Sequence, residues 1–464
     1  MDPGARRKRM EDLRAARTII QRRIEVVRNE LNELDAALSE NERELSDCAP
    51  VSTLPDDTLK LILEEAYQHR SGDCSKDARA VLNATHVSQR WRQAAISTPQ
   101  LWTCVHVGSP RLVRLFIKRS GTLPLHVICI GPDAQDGSDE DEDEEPPWLS
   151  SYLKQLSLAL KHAHRLKHIR IETACDDVFF AVLRRIQKTT LPLLENLELL
   201  HAERHADLGL FIGTNFVDIE IPSPNLQSLS FASIPLSFRS PFFGCLRKLT
   251  ATTCDISVDG ILALAGAAPR LTTLVLDTPR LENRNDNRAA LFPSLESLTI
   301  LGQPEYFEHE ALLRCFDAPA LAYLALAGLK LAPDVETTVP QRVFPAVRTL
   351  CLMNVSSDDD LPRGPRIFRC TPDAAHLELR SCTSNISSLL SSICRASPFT
   401  LPKLETLTVE YSEDIQGVLL DVAESRGRFE PPLKAVQLVA KGMIQTDTSV
   451  VDRLSQYVTV RIDE

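Results

Sequence analysis

The chain has 464 residues, 43% of them hydrophobic and 25% charged, the balance of a globular protein with room for roughly two or three domains. Its formal net charge of −11 argues against a general nucleic-acid surface. No apolar run is long enough for a membrane span, and the basic, polar N-terminus is unlike a signal peptide, so the expected location is intracellular, cytoplasmic or nuclear. The twelve cysteines form no C-x-x-C pair and read as buried thiols of a reducing compartment, not a disulfide framework.

Residues 1–12 are expected to be a disordered basic tail around Arg6-Arg7-Lys8-Arg9, a solvated tail or an import signal. Residues 13–47 carry a heptad repeat. Leu13, Ile20, Ile24, Val27, Leu31, Leu34, Leu38 and Leu45 fall on alternating a and d positions, with Arg17 and Asn41 as the polar exceptions. This predicts a coiled-coil helix. Because lone helices of this kind are marginal, the seam is expected either to pair with a second copy or to fold against its own domain. Ala49-Pro50 ends the helix.

The next segment, residues 51–107, reads as a small helical domain. Pro55 suits a first helical turn, and Asp56 and Asp57 suit its positive end. Leu59, Ile62, Leu63 and Ala66 then follow on one apolar face. A second helical run carries Val81, Leu82, Thr85, Val87 and Trp91, and the segment closes on Pro99, Leu101 and Trp102. A unit this small is marginal alone and is expected to dock on the rest of the chain or on a partner.

Three phrases in this order, Leu54-Pro55 with Leu59, Ile62 and Leu63, then His86-Val87-Ser88-Gln89-Arg90-Trp91-Arg92, then Pro99 with Leu101-Trp102, resemble the F-box. The resemblance implies docking to the Skp adaptor of a cullin–RING ubiquitin ligase. It points to Leu54, Pro55, Leu59, Ile62, Val87 and Trp91 as adaptor-facing residues. One departure from the family is the long loop from His69 to Arg79. Residues 108–135 read as a lead-in, a helix over Pro110 to Arg119 and a strand over Leu125 to Ile130. The phrase beginning at Arg111 resembles the segment after the F-box in a group of basidiomycete fungal F-box proteins, which also tend to start with a coiled coil.

Residues 136–148 form an acidic stretch, with eight acidic residues between Asp136 and Glu145 followed by Pro146-Pro147, expected to be a disordered loop. From 149 to 464 a repeated phrase takes over, P-x-L-x-x-L-x-L. Pro192-Leu194-Leu197-Leu199 is the first full copy, and Pro431-Leu433-Val436-Leu438 the last. Leading residues of the copies recur mostly 24 to 32 residues apart, the spacing of leucine-rich repeats. The expected fold is therefore α/β, a leucine-rich-repeat solenoid: a curved parallel sheet with outer helices, preceded by the F-box and the coiled-coil helix. Helical runs are expected at Asp259 to Ala267, His309 to Phe316, Ile386 to Cys394 and Ile415 to Ser425.

Residues between the core leucines are expected on the concave side of the sheet. From Ser228 to Gln437 half of these eighteen positions are Ser or Thr, with Lys248 and Glu378 the two charged ones. Tyr323, His376 and Glu378 are the expected target contacts. The loops Glu282 to Arg288 and Ser356 to Arg366 are further candidates for recognition.

Catalytic signatures are not apparent. His201 and His205 in H-A-E-R-H lack the zincin order, and His162, His164 and His168 have no completing ligand set. There is no P-loop, G-x-G-x-x-G or G-x-S-x-G. The expectation is a protein that is not an enzyme, with no catalytic residue, no cofactor and no metal. Its expected partners are the Skp adaptor, through it a cullin, a target protein and, where the seam pairs between chains, a second copy through residues 13–47, with no nucleic acid and no membrane. The other reading is a scaffolding repeat protein without a ligase role.

Overall fold

A computed structural model describes residues 3–47, 54–68, 74–131, 147–173, 175–201, 217–218, 222–232, 236–237, 241–252, 255–277, 280–282, 288–302, 309–328, 330–331, 343–357, 367–381, 386–394, 401–410, 415–428, 432–439 and 448–463. The chain divides into two compact units, Met1–Trp102 and Thr103–Glu464. Among the described residues, no helix is long and apolar enough to cross a membrane.

The first unit is helical. Helix α1 spans Pro3–Asp47. It starts ahead of the expected Leu13, so residues 3–12 continue the helix and are not a separate tail. Pro3 suits a first turn, and the Arg and Lys residues that follow are good helix formers. Helices α2 (Asp56–Gln68), α3 (Cys74–Val87) and α4 (Gln89–Ile96) follow, then a 3-10 turn at Pro99–Trp102. Their shared core is Leu59, Leu63, Val81, Ala94, Ala95, Leu101 and Trp102, all buried.

The second unit is built on one sheet. Its strands are β1 (Cys104–His106), β2 (Leu125–Ile130), β3 (Leu166–Thr173), β4 (Asn196–His201), β5 (Ser228–Ala232), β6 (Lys248–Thr252) and β7 (Thr273–Asp277). Next come β8 (Ser297–Leu301), β9 (Tyr323–Ala327), β10 (Thr349–Met353), β11 (His376–Arg380), β12 (Thr406–Glu410), β13 (Ala435–Val439) and β14 (Thr459–Asp463). These fourteen strands lie in chain order and every neighbouring pair is parallel. That is the architecture of a repeat solenoid. The sheet begins at β1, so the boundary expected at residue 107 moves back to Trp102, and the lead-in belongs to the sheet.

Connecting helices are α5 (Pro110–Arg119), α6 (Pro147–Leu160), α7 (Asp176–Gln187), α8 (Val258–Ala267), α9 (His309–Arg314), α10 (Ile367–Cys370), α11 (Ile386–Ile393), α12 (Gln416–Arg426) and α13 (Thr448–Leu454). The acidic stretch lies outside the described residues up to Pro146, and α6 already begins at Pro147. The helix expected over His309 to Phe316 stops at Arg314. Phe316 instead opens a short strand that pairs with Ala290–Leu291.

The repeated phrase has a local cause. Its proline is the second residue of a four-residue turn. The residue before it accepts a hydrogen bond from the N–H of the first core leucine, as in Leu194 to Leu191, Leu271 to Ala268, Leu321 to Ala318 and Leu404 to Leu401. Proline presets φ at that position and needs no donor there. Between repeats, from β4 to β12, one carbonyl just ahead of the strand accepts two consecutive N–H groups from the next repeat. Glu296 O takes those of Ala322 and Tyr323 at 2.8 and 2.9 Å, and Ala322 O takes those of Arg348 and Thr349 at 2.8 and 3.1 Å. The strand leucines, among them Leu197, Leu229, Leu274, Leu298, Leu324, Leu350, Leu377 and Leu407, line the core.

Candidate partner-binding surfaces

Two surfaces carry the candidate residues: the helical module and the outward face of the sheet.

In the module, Ser88 caps α4, its hydroxyl accepting from Trp91 N at 3.3 Å. Arg90 ties α4 to the start of α2, donating from Nε to Asp56 Oδ1 at 2.8 Å and from its guanidinium to Leu54 O. Arg92 Nε donates to Thr85 O at 2.8 Å, and Trp102 Nε1 to Ala95 O at 2.7 Å. The Arg90-Trp91-Arg92 phrase therefore does internal fastening with both arginines.

The residues singled out by sequence divide. Leu59 is 0% exposed and packs the module's own core, so it is removed from the partner-facing set. Leu54 and Trp91 are half-buried, and Pro55 is exposed. Ile62 and Val87 are 42% and 61% exposed, and Leu61, which the sequence reading passed over, is 64% exposed. Leu61 was missed because it lies off the i, i+3, i+4 stripe that marks a buried face. The stripe itself is narrower than expected: Leu63 is buried with Leu59, while Ala66 is exposed.

On the sheet, register sets three rows of outward side chains. One runs His126, His168, Asn196, Ser228, Lys248, Thr273, Ser297, Tyr323, Thr349, His376, Thr406. The next holds Arg170, Glu198, Ser230, Thr250, Val275, Thr299, Ala325, Cys351, Glu378 and Thr408. The third, which the sequence reading missed, includes Glu172, Asp277, Met353 and Arg380. It exists because each strand runs past the last core leucine. Paired charges gather on the first strands and around β11, and hydroxyls dominate the middle, where Lys248 and Asp277 are the charged side chains.

Toward the first strands, His168 Nε2 lies 3.1 Å from Glu198 Oε1, and Arg170 bridges Glu172 at 2.8 Å and Glu198 at 3.6 Å. An extra residue at Lys167 shifts the β2–β3 register and sets His168 opposite His126. Hydrogen bonding by His168 holds the Glu198 carboxyl below the usual range. Burial, aided by His168 and Lys167, lowers the pKa of His126 from 6.5 to about 4.

Toward the last strands, Tyr323, Cys351, Glu378 and Arg380 form a connected chain across β9, β10 and β11. Cys351 lies opposite Glu378 in register and diagonal to Tyr323, and each is close enough to perturb the other's ionisation. Arg380 donates to Glu378 Oε2 at 2.8 Å. Burial, with Cys351 and Glu378 adding to it, pushes the Tyr323 hydroxyl up to about 12. Burial also pushes the Cys351 thiol up to about 11, with Glu378 adding to it, so it is protonated at neutral pH and unsuited to nucleophilic chemistry. His376 stands on the same row as Tyr323, two strands away, its Nδ1 hydrogen-bonded to Thr406 Oγ1. Of the expected target contacts, Tyr323 and Glu378 thus meet through Cys351, and His376 pairs separately.

His205 and most of the loops at 282–288 and 356–366 lie outside the described residues. Among the described residues, no three His, Cys, Asp or Glu side chains converge as a metal site.

No protein-family model matches the chain, and no curated protein matches it. Among solved structures, it is similar to a crystal structure of a protein from Bacteroides fragilis, with a TM-score of 0.31 and 16% identity. The match covers 52% of this chain and 66% of that one, just under two thirds of its length.

Proposed function

We propose that the chain is the substrate-recognition subunit of an SCF-type ubiquitin ligase. The helical module is its F-box and docks the Skp adaptor, and through it a cullin. The parallel-sheet repeats are leucine-rich repeats and bind the target protein. The reading rests on the F-box phrases of the sequence. The observation that carries it is the exposure of Leu61, Ile62 and Val87 on a module that buries Leu59, Leu63, Val81, Leu101 and Trp102. Apolar side chains left out of so small a core are the natural anchors of a partner interface.

The mechanism is tethering. Holding a target beside a charged ubiquitin-transfer subunit raises the effective concentration of its lysines without chemistry in this chain. On the target side, Tyr323 offers an aromatic anchor, with Glu378 and His376 as polar contacts.

The test is co-purification of the full chain with the Skp adaptor, beside a variant carrying Ile62→Glu and Val87→Asp. Both positions are exposed, so the variant keeps its helix content. Complex with the parent and a loss of at least about 100-fold in the variant supports the reading, because anchors typically contribute ~2 kcal/mol or more each. A folded parent that forms no complex sinks it and leaves a scaffolding repeat protein.

A further inference from the structure

We propose that α1 pairs with α1 of a second copy in antiparallel orientation, with the two-fold axis beside Glu30 and Arg28. This is independent of the ligase reading.

Among the described residues of its own unit, nothing covers the seam. Ile20, Ile24, Val27, Leu31, Leu34 and Leu38 are all exposed. Together with Arg23 and Arg28, the first four line a shallow groove along the helix. A row of six exposed aliphatic side chains at a and d positions calls for a facing helix with the same spacing. A second copy supplies it.

Charge selects the orientation. Residues 14–28 hold five arginines and one glutamate, a net charge of +4. Residues 30–41 hold three glutamates and one aspartate and no basic residue, a net charge of −4. An antiparallel pair lays each basic half on the other copy's acidic half. A parallel pair lays like on like: Arg23 at g meets Arg28 at e of the next heptad, and Glu30 meets Asp35.

The polar exceptions fix the register. With Ile20 opposite Leu38, Ile24 opposite Leu34 and Val27 opposite Leu31, Arg17 falls opposite Asn41 of the second copy. The two polar residues of the seam then share a layer at each end, and every layer between them is apolar. One heptad shift sets Arg17 against Leu34 and Asn41 against Met10, and the other sets Asn41 against Ile24 and carries Arg17 past Asp47, the last residue of α1. Each leaves an unpaired polar side chain facing an apolar one, which is costly. The cost of the chosen register falls at the axis, where Arg28 and Glu30 meet their own copies.

The experiment uses the full chain. Sedimentation velocity should find a dimer that weakens with salt. Arg14→Glu, Arg22→Glu and Arg23→Glu together make both halves acidic and should weaken it by about tenfold or more. Adding Glu33→Lys, Asp35→Lys and Glu40→Lys to that chain should restore the dimer. All six sites are exposed and receive good helix formers, so the doubly reversed chain should match the parent in circular dichroism. The decisive step mixes tagged parent with the untagged, doubly reversed chain. Antiparallel pairing opposes like charges in a mixed dimer, so each chain should pair with itself. A monomeric parent, a half-reversed chain that dimerises as well as the parent, or preferential mixed dimers would each overturn the proposal.

Discussion

His126 is a histidine kept neutral by its surroundings. It is half-buried on β2, its ring edge-on to His168 with centroids 5.5 Å apart and Lys167 nearby. Its folded pKa of about 4 lies below the ordinary 6.5. Between those values the unfolded chain takes up a proton that the folded chain does not, so stability is lost as pH falls from about 6.5 toward 4. The lowered pKa of Glu198 acts in the same sense at the acid end, so a comparison with the parent is needed. His126→Gln should flatten the dependence of melting temperature on pH in that window. A profile parallel to the parent's would show that His126 is not held neutral.

At the scale of elements, neighbouring repeats are joined by more than leucines. Arg426, the last residue of α12, is wholly buried. It donates from Nε to Ile393 O at the end of α11 and from a terminal nitrogen to Leu401 O in the following turn, each at 3.0 Å. Burial lowers its pKa to about 10, which leaves it charged at neutral pH. Arg426→Met keeps the bulk and strands both carbonyls, so urea unfolding should show a loss of about 2 kcal/mol or more. No loss would mean that the clamp contributes nothing beyond packing. Arg165 does similar work near the start of the sheet, reaching Leu123 O at 2.8 Å and Ser120 Oγ at 2.9 Å. Neither arginine stands out in the sequence, because what each one meets is a carbonyl from another repeat. The proline turns are the opposite case. They are closed by residues three apart, and the phrase announces them.

Across the whole second unit, each strand pairs with its neighbours in the chain, so stability is close to a sum over repeats and interfaces. Ending the chain after residue 447 removes α13 and β14 and leaves β13 as an open edge. The shortened protein should keep its far-ultraviolet spectrum almost intact and lose a few degrees of melting temperature. Its urea m-value should drop roughly with the surface removed. Collapse of the whole sheet would rule out repeat-wise stability.

What the chain's own sequence determined is local. Strand positions follow from leucines at fixed spacing and from a proline whose ring suits one turn, and the α1 seam follows from a period of seven. Helix ends were less legible: α9 stops at Arg314 because the chain is drawn into a strand pair with Ala290–Leu291, a contact made at a distance in sequence. Tertiary structure decided which apolar residues face outward. Leu59 and Ile62 lie on one predicted stripe, yet packing by Leu101, Trp102 and Val81 in the same core leaves Leu59 at 0% and Ile62 at 42% exposure. It also decided that Tyr323, Cys351, Glu378 and Arg380 form one connected group. Each comes from a strand the sequence could locate, but their meeting depends on the register between strands. That register pairs equivalent positions of successive repeats, as the phrase implies, but which outward side chains then touch is decided only by the packing of neighbouring strands.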